Sequence, residues 1–253
     1  MSVIVPCFNE QEALPSLLDR LDRMHENGSR DWSVVAVDDG SDDDTFAQLL
    51  RARVDRPWLD VLRHQENLGL GAALRTGFAY AQSPIVCTID SDCTYPPERL
   101  PELTALLEGG VDLATASAWH PTTLDGEPAS VRRFLSRAVS NTYKLLIGQD
   151  IYTFTCLFRA YRSDLLEGIH FRANGYGAVA EIMLRSLFAG AAVAEVAMPL
   201  GQRRHGESKL KVGDAVAAHA GLLTLTSMLL VWHRVRRAGR RIAKRFVRQG
   251  GRG

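Results

Sequence analysis

Cysteine is scarce: 253 residues contain four, Cys7, Cys87, Cys93 and Cys156. None forms a CxxC pair or has metal-site spacing, which excludes a disulfide scaffold and a thiolate zinc centre. Three lie in or beside apolar runs, so small buried thiols in a reduced, intracellular setting are expected. No basic segment followed by a long apolar one precedes the first strand-like run, so no signal peptide is expected. Asn27-Gly28-Ser29 fits a glycosylation sequon but reads as an ordinary turn in such a chain. Repeats and low-complexity tracts are absent, which excludes solenoids and propellers. Acids are missing from the end of the chain. None follows Asp214, whereas nine Arg and Lys lie between Arg234 and Arg252. The net charge of +1 therefore hides an asymmetry: with those nine set aside, 21 basic residues face 29 acidic ones, leaving −8 on the body and +9 on the tail. An acidic body with a basic tail points to an anionic surface as partner.

What is present is a globular composition, 46% hydrophobic and 23% charged. That suits one large α/β domain or two small ones and excludes a disordered chain or a many-span membrane protein. The first half alternates strand and helix. Strands are predicted at Ser2–Pro6, Ser33–Asp38, Leu59–Arg63, Ile85–Ile89 and Val111–Ser117. Between them, Leu14, Leu17, Leu18, Leu21 and Met24 recur at helical spacing, and Thr45–Arg53 and Gly71–Ala81 read as helices. Pro96-Pro97-Glu98 opens another helix, with proline where a first turn tolerates it. This order predicts a mostly parallel sheet with helices on both faces. The second half predicts helices at Ser130–Ile147 and Ala178–Phe188, strands at Thr155–Tyr161 and Ala192–Val196, and a polar, basic loop at Gly201–Lys211.

In an open α/β sheet, ligands gather at the carboxyl ends of the strands. Three polar clusters are predicted there: Pro6-Cys7-Phe8-Asn9-Glu10, Asp38-Asp39-Gly40-Ser41-Asp42-Asp43-Asp44-Thr45, and Asp90-Ser91-Asp92. Acidic loops brought together repel unless a cation joins them. Asp90 and Asp92, two residues apart after a buried strand, offer hard oxygens suited to Mg²⁺ or Mn²⁺; a solvated turn is the alternative. Asp42-Asp43-Asp44 reads as an acidic first turn of a helix. Asn67-Leu-Gly69-Leu-Gly71 matches neither the dinucleotide fingerprint nor a Walker A loop and fits a tight turn with close helix packing. Arg203, Arg204, His205, Gly206, Glu207, Ser208 and Lys209 form a basic segment. Facing an acidic metal site, it would supply what a diphosphate needs; a solvated loop is the alternative.

Taken in order, Pro6-x-Phe8-Asn9-Glu10, Val37-Asp38-Asp39-Gly40-Ser41, Asn67-x-Gly69-x-Gly71, Asp90-x-Asp92 with Pro96-Pro97-Glu98, and Arg203-x-x-Gly206-x-Ser208-Lys209 resemble the family-2 inverting glycosyltransferases of the GT-A fold. The branch most resembled is that of the polyprenyl-phosphate sugar synthases, typified by dolichol-phosphate mannose synthase. The resemblance covers residues 2–211. It implies a GT-A domain over 1–211 and a nucleoside-diphosphate hexose donor, GDP-mannose or UDP-glucose. Pro6, Phe8, Glu10, Val37 and Asp39 would line the nucleotide pocket. Asp90 and Asp92 would hold Mg²⁺ or Mn²⁺ on the donor diphosphate, with Asp92, Arg203 and Lys209 as catalytic residues. Arg132 and Ser136 match the acceptor-phosphate pair of a polyprenyl phosphate. Departures are Phe8 for a usual Tyr, Thr94 for a frequent Gln, Ser117-Ala118 for Ser-Arg, and Thr153–Arg159 for the usual Asp-x-x-Ser-Gly-Phe-Arg segment. These leave open a hydroxyl acceptor, for which Glu181 and Asp150 are candidate bases.

Beyond the domain, residues 212–253 read as a membrane-associated tail. Ala215–Trp232 has 18 residues without formal charge, about 27 Å as a helix and borderline for a bilayer span. Then Val235, Ala238, Ile242 and Phe246 share one helical face, with Arg234, Arg237, Arg241, Arg245 and Arg248 on another. A basic amphipathic helix suits anionic headgroups and a cytoplasmic membrane face. Nothing there resembles a nucleic-acid-binding motif, so no nucleic-acid partner is expected.

Overall fold

The computed structural model describes residues 1–27, 31–123, 131–201, 213, 219–224 and 226, with the side chains of Asn27, Val131 and Arg132 left out. The elements run β1 (Ser2–Cys7), α1 (Leu14–Asn27), β2 (Ser33–Asp38), α2 (Thr45–Val54), β3 (Leu59–Arg63), α3 (Leu70–Tyr80), β4 (Ile85–Thr88), a 3-10 turn at Pro97–Arg99, α4 (Leu100–Glu108) and β5 (Leu113–Ser117). They continue with α5 (Val131–Ile147), β6 (Arg159–Arg162), α6 (Ser163–Gly168), α7 (Gly177–Ala189) and β7 (Val193–Ala197). The strands make one seven-stranded sheet in the order β3-β2-β1-β4-β6-β5-β7. Among the described strands only β6 runs antiparallel, against both β4 and β5.

The period-two pattern of the strands explains the layers. Val3, Val5, Cys7, Val34 and Ala36 face one core with Leu14, Leu17, Leu21, Leu49, Leu100 and Leu103 from α1, α2 and α4. Ile4, Val35, Val37 and Val86 face the other side, against Ala73 of α3. There the core widens under α5 and α7 through Tyr143, Phe154, Tyr161, Ile182 and Met183. Right-handed crossovers account for this split. The chain winds from β1 outward to β3, then returns past β1 to β4, so α3 must cross on the face opposite α1 and α2. The reversal creates a crevice beyond the carboxyl ends of β1 and β4.

The strand predicted at Thr155–Tyr161 is instead Arg159–Arg162. The preceding backbone is used differently: the Tyr152 and Thr153 amides donate to the Glu195 carboxylate at 2.8 Å each, and the Phe154 amide donates to Ser140 Oγ. Helix α6 was not expected from the sequence. Among the described residues, no helix is long and apolar enough to cross a membrane. The expected membrane-associated helices of 212–253 fall almost wholly outside the described residues. None of the four cysteines forms a disulfide. Burial pushes Cys87 and Cys156 up to about 12 and Cys93 up to about 11, as packing groups rather than nucleophiles.

Candidate functional site

The loops after β1 and β2 are laced together. The Asp39 amide donates to the Cys7 carbonyl (2.8 Å), the Asn9 amide to Ser41 Oγ (2.9 Å), and the Glu10 amide to Thr45 Oγ1 (2.7 Å). In return the Asp42 amide donates to Asn9 Oδ1 at 2.8 Å. Asn9 turns with φ +54°, a left-handed conformation asparagine tolerates. The expected donor-pocket residues Pro6, Phe8 and Glu10 are thus half-buried on a rigid rim. Val37 differs: its side chain is wholly within the core with Ile4, Val35, Ala73 and Val86, so it shapes the wall from behind and offers no side-chain contact.

Asp39, 3% exposed, holds the glycine loop. Its Oδ1 accepts the Leu68 amide (3.0 Å) and its Oδ2 the Gly69 amide (2.7 Å). His64 Nδ1 lies 2.6 Å from Oδ1. An ionised carboxylate only accepts, so Nδ1 carries the proton and Nε2 pairs with Thr76 Oγ1 at 2.8 Å. The carboxylate expected to meet a nucleotide is therefore oriented by its own imidazole. His64 and Thr76 escaped the sequence reading; the available signal was position, since His64 directly follows β3 at the same sheet edge. Neighbouring Asp38 is fully buried and neither oxygen accepts a hydrogen bond among the described residues; Arg63 Nε stands 3.2 Å away as its cation.

The glycine loop serves close packing. Gly69 has φ +92°, and a Cβ there would come within 2.5 Å of the Asn174 carbonyl oxygen. A Cβ on Gly71 would overlap the Ala173 carbonyl oxygen. The Gly71 amide donates to that Asn174 carbonyl, and Arg75 donates to the Ala173 carbonyl and to Asn174 Oδ1. Glu181 secures the other side of this contact. Its Oε2 accepts the Arg172 and Ala173 amides at 3.0 and 2.8 Å, and its Oε1 pairs with Arg185 at 2.7 Å. Buried and fully engaged, Glu181 is an anchor and not a base poised for an acceptor. The other candidate base, Asp150, is a surface side chain 3.1 Å from Lys144 Nζ.

Asp90 and Asp92 leave β4 on the other side of β1, across the crevice. With strands spaced about 4.8 Å apart, the exits of β2 and β4 lie about 10 Å apart. Asp92 Oδ1 accepts the Thr94 amide (2.9 Å) and hydroxyl (2.7 Å), closing a tight polar turn with Cys93 at φ +53°. Burial raises the Tyr95 phenol well above its ordinary value, with Cys156 and then Asp90 adding to it. Two hard carboxylates on one loop fit Mg²⁺ or Mn²⁺, with open positions for phosphate oxygens. No group of three or more metal-binding side chains occurs among the described residues. Arg203 and Lys209 lie outside the described residues. The segment leading to them is held at the site, where the Gly201 amide donates to the Thr94 carbonyl at 2.9 Å.

Beside this loop is the expected acceptor region. Ser136 Oγ lies 2.7 Å from Thr155 Oγ1 and accepts Trp119 Nε1–H at 3.3 Å. The guanidinium groups of Arg133 and Arg137 stand 5.4 and 5.9 Å from the Trp119 ring centre. The side chain of Arg132 lies outside the described residues. Ser117 Oγ and Thr153 Oγ1 are 2.7 Å apart. Arg159, in the segment that departs from the family pattern, is wholly buried and donates to the Val179 and Phe154 carbonyls, so it holds the fold and not a ligand.

A mixed seven-stranded sheet gathering these loops at one edge is a GT-A-like α/β fold. The glycosyl transferase family 2 model matches residues 2–169, and the chain belongs to that family. It is 30% identical over 214 residues to the undecaprenyl-phosphate 4-deoxy-4-formamido-L-arabinose transferase of Pseudomonas syringae pv. syringae (strain B728a), covering 83% of this chain and 60% of that protein. The enzyme of the same name from Yersinia enterocolitica serotype O:8 / biotype 1B is 26% identical over 229 residues, with 88% and 66% covered. The chain thus spans about three fifths of the length of the first of these relatives. Among solved structures, glucosyl-3-phosphoglycerate synthase from Mycobacterium tuberculosis with Mn²⁺ and UDP-glucose superposes with TM-score 0.67 at 23% identity, covering 90% of this chain and 77% of that one. The same synthase with Mg²⁺ and UDP gives 0.65 at 22%, covering 87% and 75%. These establish the shared fold.

Proposed function

We propose that the chain transfers a glycosyl group from a nucleoside-diphosphate sugar to a polyprenyl phosphate at the cytoplasmic face of a membrane. Residues 1–211 form the catalytic unit and 212–253 a membrane-associated tail. The observation that carries the reading is the crevice at the β1/β4 reversal, with the Asp39-held nucleotide rim on one side and Asp90-x-Asp92 on the other. The relatives named for undecaprenyl phosphate support the acceptor class. They also widen the donor: their sugar is a formamido-arabinose, a pentose, where a hexose was expected from the sequence. Solved neighbours bound to UDP or UDP-glucose favour UDP over GDP as the first nucleotide to test.

Pro6, Phe8, Glu10 and Asp39 bind the nucleoside, and Asp39 is kept in register by His64 and the Leu68 and Gly69 amides. Asp90 and Asp92 would hold Mg²⁺ or Mn²⁺, which supplies charge neutralisation at the departing diphosphate. Arg203 and Lys209, matched to the family's basic motif, would neutralise the same diphosphate. Ser136 and Arg132 orient the acceptor phosphate. One of its oxygens bonds to the anomeric carbon as the carbon–oxygen bond to the diphosphate breaks, that electron pair leaving with the nucleotide and the centre inverting. A phosphate is already anionic near neutral pH, so no strong base is required. That agrees with Glu181 and Asp150 being committed elsewhere; a hydroxyl acceptor would need such a base.

The test is incubation of the full chain with Mn²⁺, polyprenyl phosphate and labelled UDP-glucose, GDP-mannose or a UDP-linked 4-amino pentose. Lipid-extractable label that disappears in Asp92→Asn is expected. Label that appears only on water-soluble hydroxyl acceptors would overturn the reading.

A further inference from the structure

Helix α5 stands out from the acidic body: its 17 residues include Arg132, Arg133, Arg137 and Lys144 and no acid. One side is anchored. Tyr143 and Ser140 are buried, Tyr143 stacks on Phe154, and Tyr143 Oη lies 3.1 Å from His219 Nδ1 of the C-terminal segment. The other side is exposed and partly apolar, with Phe134 72% and Leu145 84% exposed. At 100° per residue, Phe134, Ala138, Asn141 and Leu145 fall within an arc of about 60°, a ridge about 16 Å long. Arg133, Arg137 and Lys144 line one flank of it. Arg133 and Arg137 lie beside Trp119, and Lys144 stands 3.7 Å over the Tyr152 ring while pairing with Asp150.

An apolar ridge with a cationic flank is the pattern of a helix lying in a lipid interface. Helix α2 provides the contrast. It also exposes an apolar pair, Leu50 and Val54, but carries only two cations, Arg51 and Arg53, where α5 carries four. Charge complementarity therefore favours an anionic surface at α5 and not at α2. Continuity adds to this. The segment 219–224 packs on α5 through His219, and the chain beyond it carries the nine basic residues of the tail.

We infer that the exposed ridge of α5 docks on an anionic bilayer, inserting Phe134 and Leu145 among the headgroups with Arg133 and Arg137 at the phosphate level. The inference deepens the polyprenyl-phosphate reading and rests on it for orientation: the ridge would face the bilayer while the hydroxyls of Ser136 and Thr155, behind this helix, stay about one helix diameter, ~10 Å, above it, facing the body of the protein.

The test is flotation of the full chain with vesicles of phosphatidylglycerol and phosphatidylcholine that contain no polyprenyl phosphate. Phe134→Glu and Leu145→Glu should each lower partitioning by about tenfold or more, equivalent to about 1.4 kcal/mol. Phe134→Trp should retain it, and Val54→Glu, an exposed apolar site on α2, should leave it unchanged. Both positions are exposed, so thermal unfolding should match the parent. Turnover with a short-chain, water-soluble polyprenyl phosphate should also persist in these variants. Parental partitioning by both α5 variants would overturn the inference and assign all binding to the tail. A change in oligomeric state without lipid, at constant partitioning, would overturn it in favour of a second copy on this face. If no glycosyl transfer is found but partitioning still depends on Phe134 and Leu145, docking stands and the substrate reading falls.

Discussion

Glu181 separates two accounts of the chemistry, and the structure assigns magnitudes to each. Its carboxylate is 3% exposed and accepts two backbone amides, those of Arg172 and Ala173. Removing it in Glu181→Ala strands both donors in a buried site, at about 1–3 kcal/mol each. Arg185 is 28% exposed and can turn to water, so its lost ion pair adds little. A loss of about 2–5 kcal/mol follows, a large part of a domain's total of about 5–15. At about 2–4 °C per kcal/mol for a chain of this size, melting should fall by about 4–20 °C. Glu181→Gln behaves otherwise. With its amide oxygen turned to the two N–H groups it keeps both bonds, so stability should stay within about 1–2 kcal/mol of the parent. Were Glu181 a general base, the same isostere would cost about 10²–10⁴-fold in turnover. Scanning fluorimetry and steady-state kinetics on the two variants decide the matter. A Gln variant that melts like the parent yet loses more than a hundredfold in turnover would refute the anchoring role.

Four further outcomes are expected. Gly71→Ala drives a methyl group into the Ala173 carbonyl and to 2.8 Å from Ala178 Cβ; it should lower stability by about 2 kcal/mol or more in denaturant titrations at unchanged m-value. His64→Asn preserves a donor toward Asp39 Oδ1, whereas His64→Gln places its amide toward Thr76. Donor KM should rise more in the Gln variant, with kcat little altered, and equal KM values would exclude His64 from orienting Asp39. In Asp92→Asn the side-chain oxygen still accepts the Thr94 amide and hydroxyl, so folding should be retained; calorimetric UDP affinity in Mn²⁺ should drop by about tenfold or more, and an unchanged affinity would remove Asp92 from the metal site. Burial raises the Glu195 carboxyl above its ordinary 4.5, more than the Tyr152 and Thr153 amides lower it. The folded state therefore holds this proton more tightly, and its contribution to stability is present below about pH 4.5 and declines as pH rises through the folded value. Glu195→Gln should flatten that decline, so parallel stability–pH curves for variant and parent would contradict it.

Much of the architecture was legible because its causes are local. The apolar run Ser33–Asp38 matches its strand, and the helical spacing from Leu14 to Met24 marks the start of α1 and falls three residues short of its end at Asn27. Thr155–Tyr161 misled because its hydrophobic pattern resembles a strand. The backbone just before it is tied to side chains instead, the Thr153 and Phe154 amides donating to Glu195 and Ser140, 42 and 14 positions away, and pairing in the sheet begins only at Arg159. Val37 was grouped with its acidic neighbours by adjacency in the chain, yet strand alternation turns it into the core. His64 carries no motif at all and becomes visible only when β3 ends beside β2.

The order of strands, helices and acidic loops, the glycine spacing and the division of charge between body and tail follow from the amino-acid sequence alone, since each depends on neighbours a few residues apart. Tertiary structure alone decided which groups meet: Asp39 with His64, Gly71 with Asn174, Glu181 with the Ala173 amide, and Thr94 with Gly201. Those contacts join segments brought together by a sheet that reverses its winding at β1. Long-range burial, and not local propensity, determines which polar side chains anchor the fold and which remain to meet a substrate.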